Sequence, residues 1–180
     1  TASNNTAVGA DALTANTTGT QQVAIGAQAL DANTTGNNNT AVGTYSMTTS
    51  ETAQNNTGLG IYSLYLNQTG NDNVAVGAQA LQNNTTASNN TAVGKRALYD
   101  NSTGQYNTAV GKDALRDNTT ASSNTAVGYI SLVSNTTGEQ NTGLGAFSLY
   151  QTSTGDANTG IGYSALSSNT TGTQNTAIGG

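Results

Sequence analysis

The chain has 180 residues, 34% hydrophobic and only 7% charged, with a formal net charge of −5 and no proline, cysteine, histidine or tryptophan. These absences exclude a disulfide framework, a thiolate or imidazole metal site, and collagen or polyproline structure, and no apolar run approaches the ~18 residues of a membrane span. Few large apolar groups would also suit a disordered chain, but that class carries high net charge, and the order in this sequence is positional.

The order begins at Gly9 and recurs in a constant step at Gly26, Gly43, Gly60, Gly77, Gly94, Gly111, Gly128, Gly145, Gly162 and Gly179, without insertion or deletion. The 17-residue unit reads N-T-A-V-G-x-x-A-L-x-x-N-T-T-G-x-x, clearest in NTAVGADALTANTTG at 5–19. A single unbroken array of about ten and a half coils therefore fills residues 1–180. Within each unit the first predicted element is T-A-V, a strand in which threonine and valine share one face and alanine takes the other. The anchor glycine then lets the chain turn or approach a neighbour closely. A second short segment carries A-L, and N-T-T-G closes the coil with turn chemistry. Helix fails because 17 is not a multiple of 3.6 residues and N-T-T-G interrupts each unit before three turns. The expected fold is all-β, a parallel β-solenoid or β-roll with 17-residue coils. Stacking at ~4.8 Å would give a rod roughly 50 Å long.

Several columns invite a specific chemistry. Four before each anchor stands asparagine, replaced once by Gln22, read as an amide ladder along the stack or as a turn residue that meets solvent. Nine after each anchor stands threonine, from Thr18 to Thr171, which would satisfy backbone groups or pack by its methyl. The Ala/Gly column before Val/Ile/Leu would permit close contact between chains. Each coil supplies only one Val/Ile/Leu and one Leu or Met for burial, and that narrow supply favours association, with three chains preferred. A weaker period of five coils overlies the short one: TASNNTAVG stands at 1–9 and 86–94, and NTGLG at 56–60 and 141–145.

The recurring NTAVG beside A-L and NTTG resembles the head repeats of YadA-like trimeric autotransporter adhesins, and still more the NTAVG-type repeats of phage tail fibres. The head motif, close to N-S-V-A-I-G, maps onto Gln22-Val23-Ala24-Ile25-Gly26 and Asn73-Val74-Ala75-Val76-Gly77. The resemblance implies a left-handed β-roll in which Val74 and Val76, and Thr6 and Val8, face the core of a trimer. The head repeat of that family is shorter than the unit of this chain, and threonine replaces its first apolar residue in most coils here.

Candidate sites are few. Asp100, Asp113 and Asp117 come nearest to a carboxylate cluster, yet they lie beside Lys95, Arg96, Lys112 and Arg116, so surface ion pairs between coils are expected and neither a metal nor a catalytic site is. Those four basic residues are too few for a nucleic-acid footprint. GKDAL at 111–115 lacks the other parts of a phosphate loop. Tyr45, Tyr62 and Phe147 share one column, Tyr65, Tyr99 and Tyr150 a second, Tyr129 and Tyr163 a third. Such rings would bind sugars or a partner surface, or else stabilise neighbouring coils. N-x-Ser/Thr occurs at Asn16, Asn33, Asn67, Asn101, Asn118, Asn135 and Asn169, either as glycan acceptors along one edge or as the turn motif itself.

The functional expectation is a structural or adhesive segment, shaft or head, of an extracellular, cell-surface or virion fibre. No enzyme, cofactor, catalytic residue or metal site is expected. The partners would be further copies, as a homotrimer or end-to-end filament, with a surface glycan or host-cell receptor beyond them, and neither nucleic acid nor membrane insertion. Two alternatives stand beside it: a regular-surface module binding ice or glycan, and a self-stacking filament subunit. The ice reading is weakened because the column eight after the anchor varies between Thr17, Glu51, Gln68 and Ser102. The chain starts in mid-coil and neither end is an atypical capping unit, so a longer array is expected.

Overall fold

The computed structural model describes all 180 residues. Eleven three-residue strands, from β1 (Thr6–Val8) and β2 (Val23–Ile25) to β10 (Thr159–Ile161) and β11 (Thr176–Ile178), form one parallel sheet in strict chain order. Thr6 pairs with Val23, Ala7 with Ala24 and Val8 with Ile25, and the same one-coil step holds at Thr159 and Thr176. The fold is the expected all-β parallel solenoid.

The ladder does not stop at the strands. Only 20 of 111 backbone hydrogen bonds lie within them, so most of the cohesion between coils comes from the connecting segments. Leu13 N–H donates to the Ala29 carbonyl at 3.0 Å, Ala15 to Asp31 at 2.9 Å, and Gln28 back to Ala10 at 2.8 Å. Each coil is thus hydrogen-bonded to its neighbours along most of its contour.

Turning so tightly demands left-handed backbone at three non-glycine positions per coil, such as Gln28 (φ 56), Leu30 (φ 51) and Asn38 (φ 59). The leucine column is the unexpected member. Left-handed backbone costs an L-residue roughly 1–2 kcal/mol, whereas full burial of a leucine contributes roughly 1.5–3 kcal/mol. Leu30, Leu64, Leu81, Leu98, Leu115, Leu132 and Leu149 are completely buried, so burial outweighs or offsets the strain. The anchor glycines have φ between 119° and 140°. A Cβ on Gly94 would also lie 2.6 Å from the Gly111 carbonyl carbon and oxygen. Conformation and stacking both require glycine there.

One expectation about packing is corrected. The Ala/Gly column does not face other chains. Ala24, Ala41, Ala75, Ala92, Ala109 and Ala126 are fully buried within the coil, against the leucines. The valine of T-A-V shares a face with threonine, and that face is the outer one because the alanine between them is the buried residue. Where serines enter the interior, the facing alanine becomes glycine. Ser46 and Ser63 hydroxyls hydrogen-bond at 2.9 Å, Ser46 also donates to the Gly58 carbonyl at 3.1 Å, and a Cβ on Gly58 would stand 2.8 Å from Ser46 Oγ. The arrangement repeats five coils on, at Ser131, Ser148 and Gly143, with the hydroxyls 2.7 Å apart.

Candidate functional site

Two amide columns line the interior. In the column before the strands, each side-chain oxygen accepts the backbone N–H of its counterpart in the next coil: Asn39 from Asn56 at 3.0 Å, Asn56 from Asn73 at 2.9 Å, Asn73 from Asn90 at 3.0 Å. Each Nδ2 donates to the glycine or alanine carbonyl that ends N-T-T-G in the same unit, as Asn90 does to Gly104 at 2.9 Å. Gln22 fills the same role, donating to Gly36 and accepting from Asn39. The solvent-facing alternative for this column is therefore wrong, since Asn39 through Asn158 are buried at every step.

The asparagines of N-T-T-G form the second column, which sequence reading treated as a turn or a glycan acceptor. Asn84 Nδ2 donates to Asn67 Oδ1 at 2.7 Å, Asn101 to Asn84 at 3.1 Å, Asn118 to Asn101 at 2.8 Å and Asn135 to Asn118 at 2.9 Å. Each also closes its own turn by donating to the carbonyl three residues on. Asn33, Asn67, Asn101, Asn118 and Asn135 are wholly buried, so those acceptor motifs present no amide to a modifying enzyme in the folded chain. Ser50 and Thr152 interrupt this ladder, donating instead to the Asn67 and Asn169 carbonyls. The preceding Asn33 Oδ1 and Asn135 Oδ1 are left buried without a partner.

Threonine chemistry divides between neighbours. Hydroxyls eight after the anchor tie coils together: Thr119 donates to the Thr136 carbonyl at 3.1 Å and Thr136 to Ser153 at 3.1 Å. The threonines nine after the anchor, Thr18, Thr35, Thr120 and Thr137 among them, stay exposed. The backbone-satisfying role therefore belongs to the more variable of the two columns.

The sheet's outer face is an apolar seam. Ile25, Leu59, Val74, Val110 and Val127 are each 36–38% exposed although they sit mid-sheet. One corner beside this face carries most of the charge and the rings. Arg96 reaches down one coil to Asp113 at 2.8 Å, Lys112 approaches the same carboxylate at 3.5 Å, and Arg116 pairs with Asp117 at 2.5 Å. The Arg116 guanidinium, hydrogen-bonded by Asp117, is held above its usual value. Lys112 also lies 5.3 Å from the Tyr129 ring centre. Asp100 accepts from Asn83 at 2.9 Å instead of joining the other carboxylates, and no three metal-binding side chains converge anywhere. Burial and the nearby Asp11 raise the Asp31 carboxyl.

Rings gather in two places. Tyr45 and Tyr62 stack in parallel with centres 5.0 Å apart, and Tyr65 meets Tyr62 edge-on at 5.3 Å. Phe147 meets Tyr129, Tyr150 and Tyr163 edge-on at 5.4, 5.9 and 5.8 Å. Single-column reading missed that these clusters combine columns, two in the first and three in the second, and that Tyr106, 62% exposed, stands apart. The surface contains no pocket. No protein-family model, curated protein or solved structure matches the chain.

Proposed function

We propose that the chain is a shaft or head segment of an extracellular adhesive fibre, in which three copies pack through the outer face of the sheet. The observation that carries this reading is the seam itself. Valine, isoleucine and leucine recur once per coil along an eleven-stranded sheet, half-exposed, on a chain with few other large apolar groups outside its core. A contiguous apolar stripe of this length marks an interaction surface. The strict one-coil step lets an identical chain meet it with the same contacts at every level, which is what a cyclic assembly needs. The threonines sharing the face supply methyl contact and a hydroxyl that can bond across a two- or three-chain seam. A rod with buried amide ladders and no pocket supplies length, stiffness and repeated surface, which are the properties of a fibre.

Sedimentation equilibrium tests the assembly. The expected mass is three times the 18.0 kDa of one chain. Val110→Lys and Val127→Lys, both on the seam, should reduce it to one chain while the far-ultraviolet β signal persists. A wild-type mass of 18.0 kDa at micromolar concentration would sink the proposal.

A further inference from the structure

The five-coil period noted in the sequence has a surface counterpart. Tyr62 and Tyr65 recur as Phe147 and Tyr150, in NTGLGIYSLY at 56–65 and NTGLGAFSLY at 141–150. Each pair anchors one ring cluster, and each sits on a coil whose interior holds the Ser–Ser–Gly arrangement. The two clusters therefore occupy the same corner of the rod, in the same coil register, about 24 Å apart.

We propose that these clusters are two subsites, related by the five-coil step, for a neutral, linear polysaccharide lying along the rod. Five observations select that ligand class. The rings are presented by a hydrogen-bonded coil and by each other, so little entropy is lost on binding. In the second cluster Tyr129, Tyr150 and Tyr163 remain 43%, 37% and 66% exposed, offering negative ring faces to the C–H groups of a pyranose and hydroxyls to its rim. Three or four rings that partly cover one another offer roughly a few hundred Å², short of the ~800 Å² per partner of a stable protein interface. The basic side chains nearest the second cluster are already paired with Asp113 and Asp117, so a polyanion finds little free charge. Duplication in register along the rod suits a ligand that is itself periodic, because a second subsite within reach of the same chain multiplies affinity.

This assignment rests on the adhesive part of the proposed function and not on the trimer. Affinity electrophoresis of the full chain, in gels cast with hydroxyethylcellulose, galactomannan or dextran, tests it. Retardation by at least one of these is expected. Tyr62→Ala and Tyr163→Ala, one in each cluster, should each raise the apparent dissociation constant about tenfold or more, and together abolish retardation. Tyr106→Ala, exposed but outside both clusters, should change nothing, and melting curves check that every variant is folded. Three results overturn the assignment: no retardation by any of the three polymers, equal retardation of wild type and folded double variant, or a changed oligomeric mass in Tyr163→Ala, which would place the rings against another copy. A retarded monomer removes the fibre and leaves the subsites. A trimer that is never retarded does the reverse.

Discussion

Asn33 and Asn135 show how much one side chain decides in a repeating core. Each Oδ1 is buried and unpaired because the next coil offers a hydroxyl aimed elsewhere in place of an Nδ2 donor. An unsatisfied buried acceptor costs about 1–3 kcal/mol. Ser50→Asn and Thr152→Asn should therefore each stabilise the chain by about 1 kcal/mol or more, read as a rise in denaturation midpoint. No change in either variant would mean that the orphaned oxygen costs nothing. The two threonine columns give a paired comparison. Thr119→Val removes the hydroxyl that bonds the Thr136 carbonyl and should cost about 1 kcal/mol. Thr120→Val alters an exposed side chain and should lie within about 0.5 kcal/mol of wild type. Equal effects would refute the division. Asp31 adds a pH term. Its carboxyl is raised in the folded state, so its contribution is greatest below the ordinary carboxylate range and is lost as pH rises through the folded value.

At the level of the coil, the sequence was most legible where a residue type has one geometric meaning. The unbroken glycine spacing announced the repeat, and T-A-V announced a strand with alanine on its own face. The same pattern was misread one step later, because alternation tells which residues share a face and not which face is inside. Ala24 is buried and Ile25 is exposed because the coil is too narrow to admit β-branched side chains from the sheet as well as leucine from the turn. The leucines were hidden for another reason. A-L favours helix by propensity, and nothing local signals that Leu98 adopts φ 51. Only the energy of its burial justifies that backbone. The asparagines of N-T-T-G look like turn residues, and they are, but with their amides turned inward. Turn chemistry and ladder chemistry use the same amide, so sequence alone could not separate them.

For the whole molecule, the site proposals divide by range. The seam is a property of every coil and was implied by the repeat. The ring clusters depend on two columns converging in one place and three in the other, and only the coil's curvature shows that Tyr65 reaches Tyr62 while Tyr99 meets no ring. The one-coil register has a further consequence, for the speed of assembly. Nearly every tertiary contact joins residues about 17 positions apart in a 180-residue chain, a relative contact order of about a tenth. That value belongs with helical bundles, which fold in microseconds to milliseconds, and not with β-sandwiches. With no proline in the chain, the slow isomerisation phase of tens of seconds is also missing. Stopped-flow refolding should therefore resolve a fast phase that is independent of chain concentration and attributable to coil formation. Any slower phase should accelerate with concentration, as joining of chains does. A dominant slow phase insensitive to concentration would contradict this, and would mean that coils do not propagate one from the next.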